Sequence, residues 1–290
     1  MRSIPFSLLA AISLALPIGA QEVTPFADPS RLISIGGSIT EIIYELGKDD
    51  LLVARDSTAT YPDQALQLPD VGYMRALAPE GVLSVEPSAI IALEGSGPID
   101  AIEVLENASV PIVFVPEIFT QDGVITKVRT VGEALNAENE AEALIGRIQA
   151  DFDAVQDRIS KIEQPKSVLF VLSMVGGRVN AAGTGTAADG IIALAGARNA
   201  ITEYEGYRQL SEEAIITANP DLVLVMDRGG DHAASEDELL SHPAIALTNA
   251  GQTGSVIRMD GSYLLGFGPR AAAAALDLAD AIYGAPEPAQ

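Results

Sequence analysis

The sequence contains an internal duplication. The segment Leu77–Ile91 aligns without gaps on Leu210–Leu224, and a Gly-Tyr pair precedes each copy, Gly72-Tyr73 and Gly206-Tyr207. Each copy has the pattern of a short helix with an acidic start, a break before proline and a buried apolar strand. The spacing is too long for a solenoid, so the duplication predicts two related units of the α/β class.

The rest of the chain alternates short apolar runs with helical patterns, which favours parallel, doubly wound sheets. Between residues 136 and 163 an apolar stripe with a period of about 3.6 predicts one long amphipathic helix. At about 1.5 Å per residue it extends roughly 40 Å, enough to run along two lobes. We expect two Rossmann-like lobes, residues 28–135 and 164–290, joined by this helix (136–163), with a ligand cleft between them.

Residues 1–20 have the pattern of a secretory signal peptide: Arg2, a short apolar run and small residues up to Ala20. We expect cleavage between Ala20 and Gln21 and a periplasmic mature protein. The alternative is an uncleaved membrane anchor. A lipid anchor on cysteine is excluded, because the chain has no Cys.

The charge balance limits the partners of this chain. It has 17 Lys and Arg residues against 40 Asp and Glu residues, a net charge of −23, which repels the phosphates of nucleic acid. Without Cys it forms no disulfide and offers no thiolate to a metal. His232 and His242 are the two histidines, too few for a multi-His site, and we expect both to be solvated.

Two glycine-rich segments fall short of the nucleotide-binding motifs that they superficially match. Gly183–Thr186 lacks the Lys-Ser/Thr of a P-loop, and Gly36–Ser38 lacks the full dinucleotide fingerprint. Both are interpreted as turns. We expect a binding protein with no catalytic residues, rather than an enzyme.

Tyr73 is the candidate binding residue that the pattern itself offers. It follows Gly72, which permits a tight turn, and precedes a helix, so its phenol can project from a loop at the edge of a lobe. Arg75 can hold that phenol as a phenolate by charge and hydrogen bonding. A phenolate suits ferric iron, and Tyr is an axial ligand of haem in some proteins. A tyrosine beside a turn is more commonly a packing residue, and the local pattern leaves both interpretations open.

The whole mature chain resembles the periplasmic haem-binding subunits of bacterial haem ABC importers. These belong to the helix-hinged binding proteins that also serve cobalamin and ferric siderophores. The residues that carry the resemblance are Ile33–Glu41, Val71–Gly81, Ala182–Asp189 and Gly206-Tyr207. The block Gly72–Leu77 is the most specific of them and separates haem binders from their vitamin and siderophore relatives.

The resemblance implies that Tyr73 is the axial ligand of the iron of haem b, the transported ligand, and that Arg75 is its hydrogen-bonding partner. It implies that Arg228 faces the porphyrin from the opposite lobe; the alternative is a solvated loop residue. Tyr207 either stacks on the macrocycle or packs beneath a turn of the second lobe.

Some relatives add a histidine ligand from the second lobe. Here the corresponding segment, Ser173–Gly177, has none, so we expect five-coordinate iron with Met174 as at most a weak contact.

The resemblance also implies a docking mode, in which one acidic residue on each lobe contacts arginines of the permease dimer in the inner membrane. The duplication places Glu80 and Glu213 at equivalent positions near helix starts, as a two-pronged contact requires. The alternative is that acids simply favour helix N-termini. An outer-membrane haem receptor system is the expected upstream partner.

Two other functions remain open at the level of the sequence. A binding protein for a ferric siderophore or corrinoid would use Tyr73 as a cleft wall, without iron ligation. A metal or porphyrin enzyme on the same fold is disfavoured, because the chain lacks Cys and paired His.

Overall fold

A first sheet of four parallel strands, in the order β2-β1-β3-β4, is built from the N-terminal part of the chain. The structure, a computed structural model, describes residues 23–227 and 235–285. The strands are β1 (Leu32–Ile35), β2 (Leu52–Arg55), β3 (Ala89–Leu93) and β4 (Ile112–Val115), and the helices α1 (Gly37–Glu45), α2 (Pro79–Leu83) and α3 (Ile99–Asn107). The central strands β1 and β3 are buried along their whole length, as parallel strands covered on both faces are.

The second sheet is mixed. Its strands run in the order β10-β9-β5-β6-β8, with β7 also beside β5. They are β5 (Ser167–Val175), β6 (Arg178–Ala182), β7 (Arg198–Asn199), β8 (Tyr207–Gln209), β9 (Leu222–Asp227) and β10 (Val256–Asp260). The α-helices of this half are α6 (Ala187–Leu194), α7 (Glu212–Ala218), α8 (Glu236–Leu240), α9 (Asn249–Thr253), α10 (Gly261–Leu265) and α11 (Ala271–Tyr283).

The antiparallel pairs β5–β6 and β6–β8 depart from the expected parallel sheet. A two-residue turn at Gly176-Gly177, with φ of 58° and 74°, reverses the chain between β5 and β6. Such left-handed pairs are the favoured turns of hairpins, so the Gly-Gly signal was present in the sequence.

Two helices carry the chain from the first sheet to the second: α4 (Gln121–Ala134) and α5 (Glu138–Ile159). The predicted long helix is therefore present but shorter at both ends than 136–163. It packs against α4 and α11, and the predicted stripe is buried at Leu144, Ile148, Phe152 and Val155. The division into lobes at 28–135 and 164–290 stays a prediction.

The duplicated segments fold alike. In the first copy α2 leads into β3, and in the second α7 leads into β9, so each copy is a short helix followed by a strand. Inward-facing residues of both sheets join one hydrophobic core, which includes Phe152 and Phe170. A smaller cluster covers the other face of the second sheet. Among residues 23–227 and 235–285, no helix is long and apolar enough to cross a membrane.

A candidate ligand-binding cleft

A cavity of about 520 Å³ lies between the two halves of the molecule, and both halves contribute to its walls. This volume falls in the range of small-molecule sites, about 300–1,000 Å³. Of the residues predicted from the sequence, Tyr73, Arg75 and Tyr207 line the cavity. Arg228 and the predicted signal peptide lie outside the described residues.

Tyr73 projects from a loop whose backbone is fixed on both sides. Gly72 has φ of 103°, a conformation that favours glycine, and its carbonyl accepts from Ser57 N at 2.9 Å. The carbonyl of Met74 accepts from Gly97 N at 2.8 Å, and that of Tyr73 from Ala76 N at 2.8 Å. The Tyr73 side chain itself is 48% exposed. The loop is therefore rigid while its phenol is presented to the cleft.

A buried carboxylate, Asp56, ties this loop to the first strand–helix turn. It accepts hydrogen bonds from Gly36 N (2.9 Å), Thr58 N (3.1 Å), the Thr58 hydroxyl (2.9 Å) and Met74 N (3.2 Å). Burial raises the pKa of Asp56 above its ordinary value, and these hydrogen bonds oppose the shift. Because Met74 follows Tyr73 directly, Asp56 positions the phenol without touching it.

An ion pair holds the beginning of the same loop. Arg55 Nη1 lies 2.8 Å from Asp70 Oδ2, and Asp70 Oδ1 accepts from Gly72 N at 2.8 Å. Asp70 therefore links the end of β2 to the turn that carries Tyr73.

Arg75 lies at the cleft surface with its side chain exposed. The structure has no hydrogen bond between Arg75 and Tyr73, and Arg75 has no ion-pair partner among the described residues. Its guanidinium is available to an anionic group in the cleft.

The second half contributes Gly185 and Thr186, from the loop Gly183–Thr186, and Tyr207 to the cleft wall. Asn199 donates to the carbonyls of Ala182 and Gly183 and to Asp189 (3.0 Å), and Asp189 accepts from Gly185 N at 3.1 Å. The half-buried Tyr207 ring lies on β8, edge-on to Phe170 at 6.5 Å. Tyr207 thus lines the cleft and packs in the core at once.

Met174 is not among the described residues that line the cleft, and its weak contact with haem stays a prediction. Leu172 lines the cavity, and regular alternation would bring Met174 to the same face. The pairing of β5 with β6 shifts register between Val171 and Ser173. This bulge turns Met174 to the other face of the sheet, where it packs against the smaller hydrophobic cluster.

An ion pair that the sequence interpretation missed joins the halves across the cleft. Glu41, on α1, accepts from Arg270 N (3.1 Å) and Arg270 Nε (3.0 Å), and Arg270 Nη2 lies 3.0 Å away. The guanidinium carbon lies 3.6 Å from the ring centroid of Tyr61 and 5.1 Å from that of Tyr263. Burial raises the pKa of Glu41, and Arg270 opposes that shift. The available signal was an acid among the apolar residues of α1, since a buried acid needs a partner.

A second ion pair lies deeper. Lys127, which is fully buried, donates to Glu117 Oε1 at 2.9 Å and to Ser38 Oγ at 3.2 Å. Burial lowers the pKa of Lys127, and Glu117 opposes the shift. The cleft acids Glu41 and Glu117 are thus each paired with a cation.

Four tyrosines line the cleft among the described residues, and Tyr73 (48% exposed) and Tyr61 (41%) are the more exposed of them. Tyr263 donates its hydroxyl proton to Asp277 at 2.9 Å, and burial together with this hydrogen bond raises the pKa of Tyr263. The Tyr61 ring is covered by Arg270, and Tyr207 is half-buried.

His242 is buried, not solvated as expected. Its Nε2 lies 2.9 Å from the carbonyl oxygen of Gly177, and its Nδ1 accepts from Ala244 N at 3.3 Å. It therefore supports the β5–β6 hairpin. His232 lies outside the described residues.

Glu80 and Glu213 occupy the first turns of α2 and α7, and both are exposed. The two helices start differently. Ser211 caps α7 by accepting from Ala214 N at 3.2 Å, whereas α2 starts with Pro79 and has no side-chain cap. Despite these different starts, Glu80 and Glu213 are each the second residue of their helix.

The chain matches the model of the periplasmic binding protein family over residues 32–263. The chain belongs to this family. Its fold is close to that of the periplasmic haem-binding protein BhuT in complex with two haems, with a TM-score of 0.83 and 37% identity, covering 87% of this chain and 97% of BhuT. The haem-binding protein RhuT from Roseiflexus sp. RS-1, in its apo form, gives a TM-score of 0.83 and 37% identity, covering 88% and 98%.

Two further relatives match the chain at lower identity than BhuT and RhuT. An uncharacterised ABC transporter substrate-binding lipoprotein of Bacillus subtilis is 28% identical over 91% of this chain and 83% of its own length. A vitamin B12-binding protein of Vibrio campbellii is 25% identical over 79% of this chain and 82% of its own. The chain thus spans most of the length of each of these relatives.

Proposed function

We propose that this protein captures ferric haem in the cleft, with the Tyr73 phenolate as axial ligand of the iron, and delivers it to an ABC permease. The supporting observation is the Tyr73 loop, which is fixed by Asp56 and leaves the phenol free to bind. Ferric iron favours a hard, anionic oxygen ligand such as phenolate. The 37% identity to two haem-binding proteins supports the same ligand.

The charges around the cleft fit a ligand with ionised carboxylates. Haem carries two propionates, and the cleft acids Glu41 and Glu117 are already neutralised by Arg270 and Lys127. Arg75 adds a positive charge without an ion-pair partner among the described residues. It serves the phenolate or a propionate, and Tyr207 supplies an aromatic wall for the macrocycle. Arg228 is proposed to face the porphyrin, on the sequence resemblance alone.

Delivery is proposed to proceed from the periplasm, after cleavage of the signal peptide at Ala20–Gln21. Glu80 and Glu213 would contact cationic residues on the two halves of a permease dimer, because they are exposed and occupy equivalent positions. An outer-membrane haem receptor system would supply the haem. Binding and transfer need no catalytic residue.

The test is an absorbance titration of the mature protein with ferric haem, beside calorimetric titrations with cyanocobalamin and a ferric hydroxamate siderophore. We expect a saturable spectrum of high-spin, phenolate-ligated haem and no saturable heat with the other two ligands. Featureless, non-saturable absorbance with haem would contradict the proposal. Saturable cobalamin or siderophore binding in its place would move the protein to the alternative class.

A further inference from the structure

The guanidinium of Arg270 is held in one orientation by three neighbours that together form the Arg270 clamp: Glu41, Tyr61 and Tyr263. Glu41 accepts hydrogen bonds from the backbone N–H and from Nε of Arg270. The ring centroid of Tyr61 lies 3.6 Å from the guanidinium carbon. Glu41 is nearly buried, with 8% of its side chain exposed, whereas Arg270 keeps 31% of its side chain exposed. Since Arg270 lines the cavity, its exposed part opens on the cleft.

The clamp leaves part of the guanidinium unused. A guanidinium has five N–H donors and two edges that can each bind a carboxylate, the Nε/Nη2 edge and the Nη1/Nη2 end. Glu41 occupies the first edge through Oε2. Nη1 has no hydrogen-bond or ion-pair partner among the described residues. A planar, pre-oriented donor end therefore remains open.

A hydroxyl lies beside the clamp. Thr60 donates to Ser262 Oγ at 3.0 Å, and these two residues directly precede the clamp tyrosines Tyr61 and Tyr263. Both line the cleft. Ser262 accepts in this contact, so its own proton is available to an acceptor in the cleft.

We infer that Arg270 is a specificity-determining residue that receives a carboxylate of the ligand on its open Nη1/Nη2 end, assisted by the Ser262 hydroxyl. This deepens the proposed function and rests on it, since the carboxylate is a propionate of haem. Arg75 and Arg270 then provide two cationic contacts in the cleft, one from each half of the chain. Ligands whose periphery is neutral lose the Arg270 contact.

The experiment compares ferric haem with its dimethyl ester, which keeps iron and macrocycle but removes both negative charges. The readout is the ratio of the two dissociation constants, ester over acid, for the wild type, Arg270→Lys and Glu41→Gln. A charge-assisted contact predicts a wild-type ratio of about 10 or more. Arg270→Lys keeps a cation beside Glu41 but lacks the planar, two-pronged donor end of a guanidinium. Its ratio of dissociation constants, ester over acid, should therefore be about fivefold lower than that of the wild type. Glu41→Gln keeps the guanidinium and should retain or raise the ratio, because it removes the competing negative charge.

A purely structural role for Arg270 gives a different pattern. If Arg270 only tied the two halves together, Arg270→Lys and Glu41→Gln would weaken both ligands equally and leave the ratio unchanged, which would overturn the inference. A wild-type ratio near unity would overturn it as well, even if a variant failed to fold, while leaving haem binding intact. If the wild type bound neither ligand, the proposed function would fall, and this inference with it.

Discussion

The two Gly-Tyr pairs of the duplication place their tyrosines in different environments. Tyr73 lies in a loop and is 48% exposed, whereas Tyr207 begins β8 and is half-buried against Phe170. Gly72 and Gly206 both have positive φ, 103° and 81°. Both tyrosines thus follow a glycine of positive φ, and the surrounding contacts leave Tyr73 more exposed than Tyr207.

The contacts that create this difference are polar and local. Asp56 accepts four donors around the Tyr73 loop, while the Tyr207 side of the cleft is fixed by Asn199 and Asp189 through the neighbouring loop. Asp56 is fully buried and Asp189 is half-buried. A fixed loop with an exposed side chain is the arrangement that a ligand-binding residue needs.

The largest expected effect on haem affinity comes from removing the hydroxyl of one of the two tyrosines of the Gly-Tyr pairs. Tyr73→Phe should raise the dissociation constant for ferric haem on the order of 100-fold, because the iron loses its ligand, while Tyr207→Phe should raise it less than about tenfold. Haem titrations followed by absorbance measure both. Equal losses in the two variants would contradict the assignment of different roles.

Removing the buried carboxylate of Asp56 should also weaken haem binding, about tenfold, because the Tyr73 loop is then held less firmly. Asp56→Ala leaves several buried donors unpaired and should lower the free energy of unfolding by roughly 3 kcal/mol. The matched variant Asp189→Ala loses fewer hydrogen bonds at a less buried site and should cost about 1 kcal/mol. Urea unfolding gives these values, and a larger loss for Asp189→Ala would count against the role of Asp56.

Substitution of Gly72 or Gly206, the glycines that precede the two tyrosines, distinguishes an effect on stability from an effect on haem binding. No atom lies within 4 Å of a Cβ built at Gly72 or Gly206, so alanine at either position meets only backbone strain. Both substitutions should destabilise the fold by about 1 kcal/mol. Gly72→Ala should in addition weaken haem binding about threefold, since it displaces Tyr73, and Gly206→Ala should leave the affinity within about twofold. Thermal unfolding and haem titration together test this; an equal change of affinity in both variants would refute it.

The smallest effect on haem affinity is expected where the two copies are alike. Glu80→Lys and Glu213→Lys change exposed residues outside the cleft, so the affinity should stay within about twofold of the wild type. Haem transfer to permease reconstituted in liposomes should fall for each variant and further for the double variant. Unimpaired transfer by the double variant would exclude docking through these acids.

The fold was largely accessible from sequence because its signals are local. Apolar runs, the stripe of α5 and the duplicated helix–strand segments each lie within a short window. The antiparallel part of the second sheet was not predicted, although the pair Gly176-Gly177 is a typical sequence signal for a hairpin turn. The face of the sheet on which Met174 lies could not be predicted from the sequence, because the register shift in β5 depends on the pairing of β5 with β6.

The site was accessible only in part. Tyr73, Arg75 and Tyr207 line the cleft, and their contacts with haem stay predictions. The pairing of Glu41 with Arg270 spans 229 positions, and that of Asp56 with Met74 depends on how β2 meets the next loop. Long-range partners of this kind follow from the packing of whole elements, which no short window specifies. A charge inside an apolar helix face, as at Glu41, is the clue that such a partner exists.

The most direct test of the central claim is resonance Raman spectroscopy of the ferric haem complex, with excitation in the phenolate-to-iron charge-transfer band. Wild type and Tyr207→Phe should both show enhanced phenolate ring modes that shift when the protein is labelled with isotopically enriched tyrosine, and Tyr73→Phe should lack them. The same modes persisting in Tyr73→Phe, or missing from the wild-type complex, would contradict ligation of the iron by Tyr73.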